Sequence, residues 1–178
     1  MERNQILPPL PEAKWADNLA NNLTGNVLNV HRMIAHNPEL MAAYAPFRNY
    51  MVKESCLTER QRELLILRTA HNLQSDYEWK HHVVRGRAAG LTNSEISRVQ
   101  VGPQAPGWTE EEATLLRCAD EMHHDQLLAV ETAHQLQAHL GNEGIIAAIF
   151  TIGLYLTLGT ILKSFAVPLD EAIQPLGS

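Results

Sequence analysis

Apolar side chains recur at intervals of three and four residues along most of this 178-residue chain, which is the spacing of amphipathic α-helices. No segment sustains the alternation of apolar and polar residues that marks a strand. The pattern therefore predicts an all-α fold of about eight helices, built on an antiparallel pair over residues 58–74 and 75–90. The other predicted helices cover residues 11–23, 26–35, 38–53, 91–100, 130–140 and 144–166, and a further helix begins at Thr109.

Polar residues mark the points where several of these helices begin. Thr58 and Gln61 fit a capping box, in which each side chain bonds the other residue's backbone amide. Ser75 and Glu78 fit the same rule at the start of the second helix of the central pair. Asn37 precedes a proline and is expected to cap the predicted helix that follows it.

One stretch, residues 145–162, contains no charged residue and lies at the lower edge of the length that a membrane span needs. It includes threonines, glycines and a tyrosine, and the chain has no second such segment. We therefore expect no membrane partner. The stretch is predicted to be a helix buried all round, in the core or in a subunit interface.

Composition indicates one domain. The length suits a single domain over residues 23–178, after a proline-punctuated N-terminal arm over residues 1–22. The net charge of −6, without a basic cluster, argues against a nucleic-acid surface. The N-terminus lacks the apolar run of a signal peptide, and the two cysteines, Cys56 and Cys118, form neither a CxxC pair nor a disulfide framework. A cytoplasmic location is therefore expected.

Glu63, Glu78 and His82 are the candidate catalytic residues. Glu63 lies among leucines and isoleucines in an apolar predicted helix, while Glu78 and His82 are four residues apart on one face of the next helix. Two acids and an imidazole that come together in a partly buried position can form a proton-transfer site. We expect their side chains to lie within a water-bridged hydrogen bond of each other and to border a cavity.

Each of these three residues also has a structural interpretation. Glu78 can simply close the capping box with Ser75. His82 can be a packed or surface histidine, and Glu63 can be a paired core acid or a solvated one. These alternatives remain open on the sequence.

Tyr77, Trp79 and Arg85 are the candidate substrate-binding residues. The two aromatic side chains can instead be core and interface anchors, and Arg85 can pair with Glu78 rather than with a substrate carboxylate. The chain has no HExxH motif and no two histidines four residues apart, so we expect no metal and no other cofactor.

Four motifs between residue 38 and about residue 100 carry a resemblance to a known family. They are HNPEL, RELLILRTA, the YEWxxH run that contains Glu78 and His82, and AGLTNSEI. Together they resemble the carboxymuconolactone decarboxylase family, which includes the alkyl hydroperoxide reductase D-like (AhpD-like) hydroperoxidases. The resemblance implies an AhpD-like helical domain that forms homo-oligomers, as dimers, trimers or hexamers.

The two branches of this family imply different chemistry. In the hydroperoxidase branch a glutamate, a CxxC pair and a histidine form a proton relay to a redox dithiol. The resemblance puts that glutamate on Glu63 and that histidine on His82, whereas Ser75 and Glu78 occupy the two cysteine positions. Without sulfur there, dithiol peroxide reduction is not available at this site. The YEW variant is similar to the decarboxylase branch, which implies loss of CO2 from a small unsaturated lactone acid in aromatic catabolism.

The preferred function is therefore that of a lyase acting on a small-molecule substrate. Decarboxylation leaves an extended enolate that must be stabilised and protonated at carbon. Protonated His82 is expected to supply that proton and Glu78 to orient it, while Glu63 holds the tautomer or acts as a reserve acid. The two rivals are a hydroperoxidase that uses Cys56 or Cys118 and a non-catalytic oligomeric binding protein.

Overall fold

Seven α-helices contain most of the residues that the computed structural model describes, which are residues 3, 6–16, 19, 23, 26–171 and 173. The helices are α1 (Asn29–Ile34), α2 (Pro38–Asn49), α3 (Glu59–Leu73), α4 (Asp76–Ala88), α5 (Asn93–Val101), α6 (Glu110–His124) and α7 (Val130–Ser164). A 3-10 turn covers Glu12–Lys14, and a π-helical turn covers Tyr50–Glu54. The described residues include no strand, so the prediction of an all-α fold is confirmed.

The chain divides into two compact units, residues 56–159 and residues 1–55 with 160–178. In the latter unit the segment after α7 is tied to α1, because the backbone N–H of Asn29 donates to Oδ1 of Asp170 at 2.8 Å. The Asn29 side chain also donates to the carbonyl of Pro168 at 3.0 Å. Much of the predicted arm over residues 1–22 and of the predicted helix over residues 11–23 lies outside the described residues. Within residues 11–16 of that predicted helix, the helical part is the 3-10 turn Glu12–Lys14.

Helix α3 is the centre of the other unit, where it packs against α4, α5 and α6. Its two apolar faces support two clusters of buried side chains. One cluster joins Leu65 of α3 to Leu57, Leu115, Cys118, Ala119, Leu136, Ala148 and Ile152. The other joins Leu64 and Leu67 to Val83, Leu91, Ile96, Val99 and Leu116. A helix with apolar side chains on both faces can hold one polar residue such as Glu63 away from water.

Most of the predicted helix starts are observed. Thr58 accepts a hydrogen bond from the amide of Gln61, and the Gln61 side chain accepts one from the Thr58 amide at 2.8 Å. Asn37 accepts from the amide of Leu40 at 3.0 Å. The predicted helix over residues 38–53 is α-helical only to Asn49, after which the chain widens into the π-helical turn.

The predicted capping box between Ser75 and Glu78 is wrong. The chain leaves α3 through Gln74, which has left-handed backbone angles (φ 54°, ψ 45°), and the Ser75 amide then donates to the carbonyl of Ala70 at 2.9 Å. The end of α3 therefore already uses the amide that a Glu78 cap would need. The Ser75 side chain makes no capping hydrogen bond either. Glu78 is thus available for another role.

The charge-free residues 145–162 lie in α7, which has a break at Gly141 (φ 68°) where the sequence predicts a gap between two helices. Ala148 and Ile152 are fully buried, but Ile146 and Phe150 are 56% and 55% exposed. The stretch is therefore not buried all round within one chain, and its burial in a subunit interface stays a prediction. Among the described residues, α7 is the one helix long and apolar enough to cross a membrane by length and composition, and 39% of its most apolar window is buried. The architecture is that of a soluble-type helical domain with one apolar helix.

The central position of α3 predicts a large cost for truncating Leu65, which is fully buried. Leu65→Ala should lower the free energy of unfolding by about 2–5 kcal/mol, since the lost contacts leave a cavity that cannot fully collapse. Leu127→Ala is the matched control, because Leu127 is 71% exposed and its truncation should change stability by less than about 0.5 kcal/mol. Urea unfolding of both variants measures the difference. Equal values for the two would contradict the central role of α3.

Candidate active site

A short hydrogen bond joins α3 to α4. Nδ1 of His82 lies 2.7 Å from Oε2 of Glu63, and the two side chains are 5% and 6% exposed. The site exists because α3 and α4 are joined by the two residues Gln74 and Ser75, which brings Glu63 and His82 side by side although they are 19 positions apart. The structure thus brings two of the three predicted catalytic residues into direct contact.

The surroundings of His82 favour a neutral imidazole. Burial lowers its pKa most, the Glu63 carboxylate opposes that effect, and the charge of Arg85 and the neighbouring His81 lower the pKa further. A neutral ring that donates Nδ1–H to a carboxylate leaves Nε2 with its lone pair, so Nε2 can accept a proton. The ring also meets Tyr155 of α7 edge to face, with centroids 4.9 Å apart.

Glu78 is buried like His82, but within the described residues it lacks a hydrogen-bond partner of the kind that His82 has in Glu63. It is 3% exposed, and neither carboxyl oxygen has a hydrogen-bond partner among the residues that the structure describes. Burial raises the pKa of Glu78 to about 8, and the nearby Ser75 hydroxyl only partly opposes the rise. At neutral pH Glu78 is therefore largely protonated and can donate a proton.

Space for the Glu78 carboxyl comes from a glycine of α7. A Cβ atom added at Gly159 would lie 2.7 Å from Cδ1 of Leu73 and closer still to Oε2 of Glu78. Gly159 and Tyr155 are site residues that the sequence analysis missed. A glycine and a tyrosine one turn apart inside an otherwise apolar helix are the signal that could have indicated them.

The two glutamates differ from the roles expected of them. Glu63 holds the imidazole tautomer, which was one of its two expected roles. Orientation of His82 was expected from Glu78, but His82 bonds Glu63, and Glu78 has no hydrogen-bond partner among the described residues. His82 was expected to be protonated, whereas burial lowers its pKa. The group whose environment favours the protonated form near neutral pH is Glu78.

The predicted substrate-binding residues do not share one location. Tyr77 is buried and stacks on His81 with ring centroids 4.1 Å apart, and Nδ1 of His81 donates to the Tyr77 carbonyl at 2.7 Å. Arg85 is half-buried and has no hydrogen-bond or ion-pair partner among the described residues, so the expected pairing with Glu78 is not observed. Trp79 is half-buried and lines a cavity.

That cavity, which we call the histidine cavity, has a volume of about 420 Å³ and opens to solvent beside the start of α4. Its lining includes His71, Asn72, Ser75, Trp79, His123 and His124. Glu63, Glu78 and His82 do not line it, although Ser75 does. Within the described part of the chain, no three histidine, cysteine, aspartate or glutamate side chains are placed so that they could hold a metal ion.

The two cysteines differ in their exposure to solvent. Cys118 is fully buried in the cluster around Leu65, and burial raises the pKa of its thiol to about 12. Cys56 is exposed, and neither cysteine forms a disulfide. A thiol that is protonated at neutral pH is a poor nucleophile, so Cys118 does not provide a reactive sulfur.

The raised pKa of Glu78 predicts a distinctive pH dependence of stability. A carboxyl whose pKa is about 8 in the folded protein and 4.5 ordinarily binds more protons folded than unfolded between those values. Its stabilising contribution is therefore complete below pH 4.5 and is lost as pH rises towards about 8. Relative to wild type, Glu78→Gln should gain stability over this window, on the order of 5 kcal/mol in total. Urea unfolding at pH 5, 6, 7 and 8 measures the gain.

Glu143→Gln, at an exposed position of α7, is the control and should have the same pH dependence of stability as wild type. A Glu78→Gln difference independent of pH would mean that Glu78 is ionised throughout.

The close approach of Gly159 to Glu78 predicts that the two positions are coupled. Gly159→Ala should destabilise the protein by about 1–3 kcal/mol through overpacking. Glu78→Ala should remove most of that cost, because it removes the carboxyl that the new methyl group would meet. A double-mutant cycle by thermal or urea unfolding gives the coupling energy. Additive effects of the two substitutions would show that the added methyl group does not meet Glu78.

Comparisons with known proteins agree with this geometry. Residues 38–121 match the sequence model of the carboxymuconolactone decarboxylase family, and this segment includes Glu63, Ser75, Glu78 and His82. None of the curated proteins matches the chain. One similar structure is a candidate antioxidant defence protein AhpD, of unknown function, from Agrobacterium tumefaciens. It is 25% identical over 76% of this chain and 94% of that one, with a TM-score of 0.68.

Two further structures show the same fold at lower identity. A peroxidase-related protein from Silicibacter sp. TM1040 is 18% identical, covers 94% of this chain and 91% of its own, and has a TM-score of 0.75. The debrominase Bmp8, as a cysteine-to-alanine variant in complex with 2,3,4-tribromopyrrole, is 14% identical over 97% of this chain and 95% of its own, with a TM-score of 0.76. Residues 38–121 are thus similar to the carboxymuconolactone decarboxylase family, and the fold of the chain is AhpD-like.

Proposed function

We propose that this protein is a cytoplasmic proton-transfer enzyme that decarboxylates a small unsaturated lactone or carboxylic acid. Glu78 is the proton donor, and the Glu63–His82 pair restores its proton. The observation that carries the proposal is the state of Glu78, a buried carboxyl with no partner among the described residues and a pKa raised to about 8. Such a group is protonated at neutral pH and poised to give its proton away.

The proposed reaction needs one proton for each turnover. The substrate carboxylate leaves as CO2, and the electron pair of the broken C–C bond passes into the enolate of the unsaturated lactone. Glu78 then delivers its proton to carbon and becomes a carboxylate. His82 takes a proton from solvent on Nε2 and passes it to Glu78, which lies four residues earlier on the same face of α4. Glu63 supports this step, because its carboxylate stabilises the imidazolium that forms.

Two observations disfavour the rival functions. The two positions of the CxxC pair in AhpD-like hydroperoxidases are Ser75 and Glu78 in this chain, so neither carries a thiol. Burial also raises the pKa of the Cys118 thiol to about 12. A purely structural role for Glu78 loses its main support, because the expected cap to Ser75 is absent. An uncompensated buried carboxyl also costs folding free energy, which favours a functional reason for its presence.

We also propose that the protein works as a homo-oligomer. The exposed apolar side chains of Ile146 and Phe150 on α7 support this assignment, since they would be covered in an interface between copies. No membrane or nucleic-acid partner is included in the proposal. Among the candidate substrate contacts, Arg85 remains available to a substrate carboxylate because it has no ion-pair partner among the described residues.

Single-turnover and steady-state kinetics on an unsaturated lactone acid separate the two proposed roles. Glu78→Gln should lower both rates by about 100-fold or more, because an amide side chain does not release a proton near neutral pH. His82→Gln should lower the steady-state rate by a similar factor but leave the single-turnover rate within about threefold, because the donor is already protonated. In wild type, kcat/KM should fall as pH rises through about 8, where Glu78 loses its proton.

The controls address the rivals directly. A Cys56→Ser, Cys118→Ala double variant should keep the wild-type rate. Loss of activity in that variant, together with peroxide consumption by wild type in the presence of a dithiol, would establish the hydroperoxidase. Native rates in Glu78→Gln would remove Glu78 from the chemistry. Absence of turnover by wild type on unsaturated lactone acids would favour the non-catalytic binding protein.

A further inference from the structure

The histidine cavity raises a question that the proposed function leaves open, namely where the substrate sits. Its volume of about 420 Å³ falls in the range of small-molecule sites, and it lies entirely within the unit formed by residues 56–159. Its wall combines the indole of Trp79 with the imidazoles of His71, His123 and His124. The rings of Trp79 and His71 are 6.2 Å apart and tilted by 59°.

The wall of this cavity contains one polar atom without a partner. The Ser75 side chain is 2% exposed, and its Oγ has no hydrogen-bond partner among the described residues. Neither carboxyl oxygen of Glu78 has such a partner either, and Glu78 follows Ser75 by three residues, which places the two side chains side by side at the start of α4. Buried polar atoms are almost always paired, so the Ser75 hydroxyl, which lines the cavity, indicates a site that a polar ligand completes.

Hydrogen-bond donors at the cavity mouth can hold an anionic ligand. The cavity opens at the N-terminus of α4, a 13-residue helix whose first turn receives no side-chain cap. The amides at such a terminus, together with imidazole N–H groups, favour a carboxylate. Of the lining residues only Asp76 is acidic, and its side chain is exposed. The flat indole of Trp79 suits a planar, unsaturated body.

We infer that the histidine cavity binds a small planar carboxylate, and that the Ser75 hydroxyl carries the proton from Glu78 to the bound molecule. This inference rests on the proposed function and assigns it a substrate site and a further residue. Glu78 does not line the cavity, whereas Ser75 does, so Ser75 is the group through which Glu78 can reach a molecule bound there. In the transfer, Ser75 Oγ accepts the proton of the Glu78 carboxyl while its own hydrogen passes to the substrate carbon. One O–H bond forms and one breaks at Ser75, which ends the step as a neutral hydroxyl.

The binding half of the inference is tested with furan-2-carboxylate, a planar unsaturated anion, titrated calorimetrically and by the NMR shift of the Trp79 indole N–H. Wild type should bind the probe, and Trp79→Leu should bind it at least about tenfold more weakly, in line with the loss of an aromatic contact. Trp108→Leu and His139→Gln, at positions that do not line the cavity, are the matched controls and should bind like wild type. His123→Gln provides a second cavity variant should Trp79→Leu fail to fold. Absence of binding, or equal binding by the cavity variants and the controls, would overturn the site.

The relay half is tested by the single-turnover rate of Ser75 variants. Ser75→Ala should bind furan-2-carboxylate up to about tenfold more weakly, because it loses one hydrogen bond to the ligand. At saturating substrate it should lose about 100-fold in single-turnover rate, because the path for the proton is removed. Ser75→Thr keeps a hydroxyl and should recover most of the rate, which a merely structural loss would not allow.

The outcomes separate this inference from the proposed function. A native rate in Ser75→Ala, with a large loss in Glu78→Gln, would overturn the relay and leave Glu78 as the donor. Native rates in both variants would overturn the relay and the proposed donor together. Probe binding in the cavity with a silent Glu78→Gln would preserve the binding site alone.

Discussion

The site depends on how the chain leaves α3. One residue in the left-handed conformation, Gln74, lets the Ser75 amide close the end of α3 on the Ala70 carbonyl. That hydrogen bond sets the start of α4 only two residues after the end of α3, and so it brings His82 to Glu63. It also takes the backbone donor that would otherwise have held Glu78. One turn of backbone thus creates both the buried pair and the free carboxyl.

Two almost fully buried acids therefore have different partners. Glu63 has a hydrogen-bonded imidazole, which compensates its burial, whereas Glu78 has only the weak influence of Ser75. Desolvation without compensation favours the neutral form of a carboxyl. The difference between the two glutamates comes from their partners rather than from their depth, since both are almost fully buried.

The sequence predicts where the helices lie better than it predicts which side chains contact each other. Periodicity and capping residues located α3 to α6 within a few residues, because both signals are local. The same rules failed at Ser75, where the capping pattern is present but a competing hydrogen bond from α3 takes the amide. The pairing of Glu63 with His82 followed from helical phase and the family resemblance. The contributions of Gly159 and Tyr155 did not, because they depend on how a distant helix packs, which no short pattern records.

Cys118 is shut away among leucines and isoleucines, and the positions that carry sulfur in related hydroperoxidases hold a hydroxyl and a carboxyl in this chain. Every group of the site therefore works through oxygen or nitrogen. Side chains of this kind cannot form a disulfide or a sulfenic acid. A change in the redox state of the surroundings would therefore leave the side chains of Glu63, Ser75, Glu78 and His82 as they are.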